Sequence, residues 1–302
     1  MNKYLITVVG ATAIGKTALS IELANHFNTA IISCDSRQFY KEMSIGTAVP
    51  TLEELADIQH YFIQNLSIFD DYSVGQFEKD ALEKLQELFV SNNIVIMVGG
   101  SGLYANALID GLDYFPEVSG EIRANLNELI DKGKIKQLQN QLKELDIESY
   151  NTIEIDNPHR LTRALEICIG TGKPYSSFKN KSKEKRTFIT FKIGLNADRK
   201  IMYDRINKRV DFMIQKGLIA EAHKLYPHKN LNALQTVGYK ELFNYFDGVC
   251  TLESAIEEIK KNTRRFSKRQ VTWNKKDRSI YWFDFKESPL KIIQKVSDLI
   301  KD

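Results

Sequence analysis

Cysteine is scarce in this chain of 302 residues, which contains only Cys34, Cys168 and Cys250. An odd number at wide spacing gives no disulfide framework, and the three positions do not match the spacing of zinc ligands. We therefore expect each thiol to pack as a small, buried apolar side chain in a protein of a reducing compartment.

Long apolar runs are also absent. No stretch approaches the roughly 18 consecutive apolar residues of a membrane helix. The apolar run after Lys3 is too short for the core and cleavage site of a signal peptide, and it ends in a glycine-rich turn that suits a first β-strand. These absences predict a cytoplasmic protein with no membrane partner.

Charge of one sign is in small excess, since the formal net charge is +3 and charged residues make up 27% of the chain. Alone, this excess says little about partners. The sequence has no internal repeat and no low-complexity tract, and its 43% hydrophobic content suits a globular core. Length and composition allow one large domain, or one core with an insert.

Apolar runs and helical periodicity alternate along most of the sequence. The runs predict buried strands at 4–9, 30–34 and 94–98. Two further strands are predicted, at 188–195, where apolar and polar residues alternate, and at 279–285. The periodicity predicts helices at 16–27, 52–61, 74–90, 198–226 and 251–273. Such alternation with apolar strands indicates an α/β fold whose parallel sheet is covered by helices on both faces.

The character of the chain changes after Gly111. Residues 119–180 read as mostly helical and polar, and the charge run at 179–186 reads as a solvated loop or hairpin. We therefore predict an α/β core at 1–115 and 187–302, interrupted by a mainly helical insert at 116–186.

The segment between the first strand and the first helix fits G-x-x-x-x-G-K-[ST] in full. Its eight residues are the predicted diphosphate site: Gly10, Ala11, Thr12, Ala13, Ile14, Gly15, Lys16 and Thr17. Backbone N–H groups and the helix N-terminus would converge on phosphate oxygens, while the Thr17 hydroxyl could hold Mg²⁺. With this motif the predicted core at 1–115 and 187–302 is P-loop NTPase-like. The motif leaves the ligand open among kinases, NTPases and diphosphate-using transferases.

Two further segments follow strands and should meet at the same edge of the sheet. Asp35 could bind Mg²⁺ through water or accept a proton, and it could equally be a cap or turn residue. The Gly99–Gly102 turn would let a ligand or backbone come close, although glycine turns after strands are common.

The helix ending at residue 273 has basic residues on more than one face, with Phe266 and Trp273 among them. No acidic residue occurs between Glu258 and Asp277. A surface of this kind binds phosphate backbones and stacks bases, and the plain alternative is a solvated helix face. The missing acids favour nucleic acid.

Several motifs together resemble the bacterial tRNA dimethylallyltransferases, also called tRNA isopentenyltransferases. They are GATAIGKT (10–17), IISCDSRQFY (31–40), MSIGTA (43–48), YSVGQFEKDA (72–81), VGGSGLY (98–104), DNPHRLTRALEI (156–167), TGKP (171–174), DRKIMYDRINKRVDFMIQKGLIAEA (198–222), TVGYKEL (236–242) and TRRFSKRQVTW (263–273). The sequence departs from the family pattern at Ala11, Ala30, Val49 and Ser101. Ser101 keeps a hydroxyl, whereas Val49 removes a usual lysine.

The resemblance implies transfer of a dimethylallyl group from dimethylallyl diphosphate to N6 of the adenosine 3′-adjacent to the anticodon, with Mg²⁺ as cofactor. It implies that Asp35 accepts the N6 proton, that Thr12 lies near the bridging oxygen, and that Arg199 contacts the diphosphate. It also implies a monomer with no obligatory protein partner.

The resemblance further implies that the target base is flipped into the site and that the insert clasps the anticodon arm. The implied tRNA contacts are Asp35, Ser36, Arg37, Gln38, Ser101, Arg123, His159, Arg160, Leu161, Thr162, Arg163, Arg264, Arg265, Lys268 and Arg269.

Three alternatives remain open from the residues. An adenylate isopentenyltransferase acting on AMP or ADP would share the loop and Asp35 but would not need the long 119–180 segment. A P-loop kinase or ATPase leaves Gly46–Ala48 unexplained. An RNA-binding module would have no use for an intact Gly15-Lys16-Thr17.

Overall fold

The computed structural model describes residues 2–56, 58–179 and 185–301. They form two compact units: a sheet unit (Met1–Asp110 with Arg186–Asp302) and a helical unit (Gly111–Lys185). The insert predicted at 116–186 begins five residues after the first residue of the helical unit. Most of the predicted charged loop at 179–186 lies outside the described residues.

The sheet unit is built on one parallel sheet, which in its described residues has six strands. They are β1 (Tyr4–Gly10), β2 (Ile31–Ser33), β3 (His60–Tyr61), β4 (Ile94–Val98), β5 (Ile189–Asn196) and β6 (Ile280–Asp284). Their order across the sheet is β3-β2-β4-β1-β5-β6, and every pairing is parallel. The predicted α/β fold with a parallel sheet is therefore confirmed.

The helices, in chain order, are α1 (Lys16–Phe27), α2 (Leu52–Ala56), α3 (Val74–Ser91), α4 (Gly102–Asp110), α5 (Gly120–Asp131), α6 (Ile135–Leu145), α7 (Ile147–Thr152), α8 (Pro158–Thr171), α9 (Arg199–Gln215), α10 (Leu218–Leu225), α11 (Tyr239–Phe246), α12 (Leu252–Asn274) and α13 (Pro289–Lys301). Helices α5 to α8 belong to the helical unit. Among the described residues, no helix combines the length and apolar content needed to cross a bilayer.

The central strands are apolar at successive positions because both faces of the sheet are covered. Leu5 and Ile6 are both fully buried, yet they belong to different hydrophobic clusters. Successive side chains of a strand point to opposite faces, so Ile6 packs with Leu23 of α1 while Leu5 packs with Phe77 of α3.

Two predicted helices differ from the structure. The helix predicted at 52–61 is wrong beyond Ala56, since His60–Tyr61 pairs with β2 as the edge strand. Backbone pairing with β2 makes this segment a strand, although its local periodicity favours a helix. The helix predicted at 198–226 is two helices, because Gly217 adopts φ 100° between α9 and α10, a conformation that ends a helix.

The helical unit has its own apolar core, centred on Leu126, Leu138, Leu142 and Leu165. Helix α8 begins where the Asn157 side chain accepts backbone hydrogen bonds and proline occupies the first helical position. The helix that carries Arg160 and Arg163 therefore begins at Pro158.

Candidate active site

The phosphate loop, residues 10–17, joins β1 to α1 in an unusual backbone conformation. Gly10 has φ 144°, and a methyl group there would lie 2.7 Å from the Leu195 carbonyl oxygen. Ala13 is left-handed at φ 62°, and Arg205 Nε donates a 2.8 Å hydrogen bond to its carbonyl. A strained non-glycine residue held by its surroundings is typical of a functional loop.

Lys16 and Arg209 form the cationic part of this loop's surroundings. Lys16 Nζ donates to the Ala11 carbonyl at 2.8 Å. Burial, with the nearby charge of Arg209, lowers the pKa of Lys16 to about 8 against the opposing effect of Asp35. Arg209 is half-buried and also interacts electrostatically with Asp35. The sequence analysis did not single out Arg209, although it lies within the matched motif at 198–222.

Asp35 follows β2 at the carboxyl end of the parallel strands, where β1 leads into the phosphate loop. Its Oδ1 accepts a 3.1 Å hydrogen bond from the Arg37 backbone N–H. A methyl group built at Gly100 would lie 3.1 Å from Asp35 Oδ2. The carboxylate therefore faces the 99–102 turn, and the absence of a side chain at Gly100 keeps that space open.

Residues 36 to 38 are each held by a different segment. The Ser36 backbone N–H and hydroxyl both meet the Ser101 hydroxyl, at 3.1 and 3.0 Å. The Arg37 guanidinium donates to the carbonyls of Asn232 and Ala233. This pairing commits Arg37 to positioning its own loop.

Gln38 has a defined orientation. Its amide NH₂ donates to the carbonyls of Thr47 and Ala48, at 3.1 and 3.0 Å. With both hydrogens used, the Oε1 atom is the part of the amide left to accept further bonds, and it lies 3.5 Å from the Ser33 hydroxyl.

A cavity of about 1,210 Å³ opens in the sheet unit. It is lined by Gly10 and Thr12 of the phosphate loop, by Asp35, and by Arg209 of α9. It is also lined by side chains of α12, which include Phe266, Arg269, Gln270 and Trp273. The phosphate loop, the Asp35 carboxylate and helix α12 therefore share one space.

Helix α12 presents its cations unevenly. Lys260 pairs with Asp211 and Glu257, and Lys261 pairs with Glu258. Arg264 donates to the Asn207 side chain at 2.7 Å. The exposed cations are Arg265, Lys268 and Arg269, so the basic surface lies in the second half of the helix.

Arg199, the predicted diphosphate contact, lies at the protein surface. It is exposed at the start of α9, its guanidinium donates to the Tyr203 hydroxyl at 2.9 Å, and it stacks over the same ring. Between Arg199 and Arg209, the latter is the arginine that lines the cavity.

The predicted residues of the helical unit divide by burial. Leu161 and Thr162 are buried in the core of that unit, whereas His159 and Arg160 are exposed. Their side chains therefore differ in what they could contact outside the protein.

Arg123 and Arg163 converge on the buried carboxylate of Glu166. Arg123 donates through Nε and Nη2, at 2.5 and 2.7 Å, and Arg163 adds a further bond. Burial raises the pKa of Glu166, but these bonds outweigh it and hold the pKa below its ordinary value. Glu166 thus neutralises part of this positive charge while fixing both guanidinium groups.

The residues near Thr17 suit Mg²⁺ held mainly by a ligand's phosphates and water. Mg²⁺ typically takes one or two protein oxygens beside substrate phosphates. In the described residues no three His, Cys, Asp or Glu side chains cluster as a metal site. The Thr17 hydroxyl at the start of α1, with Asp35 near Lys16, fits such an arrangement.

Comparison with known proteins confirms the resemblance. Residues 38–277 match a family model described as IPP transferase. A tRNA dimethylallyltransferase of Flavobacterium psychrophilum is 60% identical, covering 99% of both chains. A solved tRNA isopentenylpyrophosphate transferase of Bacillus halodurans is 36% identical, with a TM-score of 0.72 over 100% of this chain and 96% of that one.

A eukaryotic dimethylallyltransferase, whose structures are described as acting on tRNA, is 27% identical with a TM-score of 0.85 over 99% of this chain and 80% of that one. The matched family model and the near-complete coverage at 60% identity agree with the site geometry. This chain belongs to the IPP transferase family.

Proposed function

We propose that this chain transfers the dimethylallyl group of dimethylallyl diphosphate to N6 of the adenosine 3′-adjacent to the anticodon in tRNA, releasing diphosphate. The observation that carries the proposal is the shared cavity, where the phosphate loop, Asp35 and helix α12 meet. The names of the relatives, which are tRNA dimethylallyltransferases, support the same substrate pair.

The diphosphate binds at residues 10–17, where backbone N–H groups and the N-terminus of α1 favour an anion. Lys16 and Arg209 stabilise the negative charge that grows on the diphosphate as the C1–O bond of the dimethylallyl group breaks. Thr12 lines the cavity and would contact the bridging oxygen of the substrate. Thr17 would hold Mg²⁺, which supplies further stabilisation of the leaving diphosphate when bound.

The N6 amine is a weak nucleophile because its lone pair is delocalised into the adenine ring. Asp35 accepts the N6 proton as the new C–N bond forms. Gln38 offers Oε1 as an acceptor to the exocyclic amine, a contact that guanine's keto group could not make. A base paired or stacked in the anticodon arm must be flipped to reach these groups.

The tRNA contacts divide between two surfaces. In the sheet unit, Ser101 and the end of α12 with Arg264, Arg265, Lys268 and Arg269 bind the tRNA, and the exposed cations act on its phosphates. In the helical unit, Arg123, Arg163, His159 and Arg160 supply side-chain contacts. Leu161 and Thr162 take part through their position in the same helix turn, and Arg37 through the loop that it holds.

The test is incubation with labelled dimethylallyl diphosphate and Mg²⁺, with either unmodified tRNA or AMP as acceptor. We expect label in tRNA, on the adenosine next to the anticodon, and none in AMP. Label reaching only AMP would identify an adenylate isopentenyltransferase. Label in neither, with turnover of ATP, would identify a kinase or ATPase.

A further inference from the structure

Gln270 is a buried side chain of α12 that joins two loops of the site. It is 8% exposed. Its Oε1 accepts a 2.8 Å hydrogen bond from the Thr12 backbone N–H, and its Nε2 donates a 2.9 Å hydrogen bond to the Gly100 carbonyl. One amide therefore connects the phosphate loop after β1 with the turn after β4.

The connection continues a pairing that the sheet no longer provides. Strands β1 and β4 pair in parallel as far as Val8 and Val98. Beyond those residues the two chains separate to form the phosphate loop and the 99–102 turn. The Gln270 amide bridges this gap with one donor and one acceptor, as a peptide group of an intervening strand would.

The orientation of this amide is fixed by its partners. The Thr12 N–H can only donate, and the Gly100 carbonyl can only accept. A flipped amide would oppose donor to donor and acceptor to acceptor. A residue that lacks either function therefore cannot replace glutamine here.

The same helix holds the 99–102 turn at a second point and brings it close to Asp35. A methyl group at Gly100 would lie 2.8 Å from Gln270 Nε2, and one at Gly102 would lie 2.5 Å from Trp273 Nε1. The Asp35 carboxylate approaches the same Gly100 at 3.1 Å from that methyl position. Gln270, Gly100 and Asp35 thus pack around one small space.

From this geometry we propose that Gln270 is a positioning residue that sets the distance between the phosphate loop and the Asp35 carboxylate. The proposal rests on the function proposed above. In this role Gln270 acts through Thr12 and Gly100, and not on the transferred group itself. It keeps Thr12 and Gly100 in register, so that the departing diphosphate and the proton acceptor act on the same reacting centre. Because Gln270 follows Arg269 on α12, the helix that contacts tRNA is also the helix that sets this distance.

Two variants of similar size separate this role from simple packing. Gln270→Leu removes both hydrogen bonds. Gln270→Glu keeps the acceptor for Thr12, but it can donate to Gly100 only when its carboxyl group is protonated. We expect Gln270→Leu to lower kcat at least 20-fold with the KM for tRNA changed less than threefold. We expect the kcat of Gln270→Glu, relative to wild type, to rise at least fivefold between pH 8.5 and pH 6.

The other charged or titratable groups near this position are Cys34 and Asp35 after β2, Lys16 on α1, Arg209 on α9 and Arg269 on α12. They are present in every variant, so the ratio to wild type isolates the effect of the substitution. The ratio for Gln270→Leu should stay flat with pH, which makes that variant the matched control. Recovery of Gln270→Glu at low pH would also show that the variant is folded.

The proposal is overturned if Gln270→Leu keeps kcat within twofold of wild type, or if the Gln270→Glu ratio does not change with pH. If wild type transfers no label to tRNA, the proposed function fails. The positioning role of Gln270 is then tested by the binding of inorganic diphosphate. In that case, diphosphate binding to Gln270→Leu that is at least fivefold weaker supports the positioning role, and unchanged binding overturns it.

Discussion

The Tyr239 hydroxyl donates a 2.6 Å hydrogen bond to the carboxylate of Glu221. The same carboxylate accepts the consecutive backbone N–H groups of Ser44, Ile45 and Gly46, at 2.8 to 3.0 Å. This loop continues to Thr47 and Ala48, whose carbonyls orient the Gln38 amide. Glu221 and Tyr239 thus determine, through one loop, where Gln38 presents its acceptor.

Glu221→Gln should destabilise the fold and weaken base recognition. An amide NH₂ would face backbone donors that the carboxylate now satisfies, which we expect to lower the free energy of unfolding by about 2–3 kcal/mol. Tyr239→Phe removes one bond and should lower it by about 1 kcal/mol. Urea unfolding measures the loss of stability in each variant. Equal losses in the two variants would contradict this account.

Diphosphate affinity should fall as pH rises through about 8, the pKa of Lys16 in the ligand-free protein. An anion favours the charged ammonium, so binding above pH 8 must take up a proton. Calorimetry with inorganic diphosphate at pH 7 and pH 9, in buffers of different ionisation enthalpy, measures both the affinity and the proton uptake. Lys16→Met should bind weakly, with no such decrease near pH 8.

The same depressed pKa predicts an effect on stability. Between about pH 8 and the ordinary value of 10.5, the unfolded chain holds a proton on Lys16 that the folded chain has lost. Stability should therefore rise with pH across this window. At pH 7 the buried ammonium opposes folding, so Lys16→Met should be more stable by roughly 1–2 kcal/mol in thermal unfolding. A less stable variant would show that the ammonium is well satisfied in the folded state.

Arg209→Ala should impair transfer far more than Arg199→Ala. Arg209 lines the cavity and interacts with Lys16 and Asp35, whereas Arg199 stacks on Tyr203 at the surface. Loss of a donor that stabilises developing charge lowers the rate about 10²- to 10³-fold, and we expect less than tenfold for Arg199. Steady-state kcat/KM for dimethylallyl diphosphate decides between them. The reverse order would return the diphosphate role to Arg199.

Neutralising the exposed cations of α12 should weaken tRNA binding in a salt-dependent way. Each of Arg265→Gln, Lys268→Gln and Arg269→Gln should reduce the slope of log affinity against log salt by about one. Lys260→Gln is the matched control, because Lys260 already pairs with Asp211 and Glu257. Filter binding of tRNA between low and moderate salt gives the slopes. Equal slopes for all four variants would remove α12 from the interface.

Asp35→Asn should abolish transfer while the protein still binds diphosphate. The amide cannot accept the N6 proton, and loss of a general base lowers the rate about 10²- to 10⁴-fold. Diphosphate affinity within threefold of wild type would assign Asp35 to proton transfer. A parallel loss of binding would show that it acts chiefly through Mg²⁺.

The sequence by itself determined the phosphate loop and the elements around it. Helix α1 and strand β4 have the bounds that local pattern predicted, because a glycine-rich turn and an apolar run are short-range signals. The edge strand at His60–Tyr61 escaped prediction, since only pairing with β2 makes those two residues a strand.

The site required tertiary structure because its decisive contacts join residues far apart in the chain. Gln270 meets Thr12 across 258 positions, and Glu221 meets Ser44 across 177. Neither glutamine nor glutamate is distinctive within its own helix. The basic stretch of α12 predicted a cationic surface, but only packing decided that Lys260 is neutralised by Asp211 while Arg265, Lys268 and Arg269 face solvent. Local sequence sets which groups a segment carries, and the fold decides which of those groups meet, because burial and hydrogen-bond satisfaction are properties of the assembled chain.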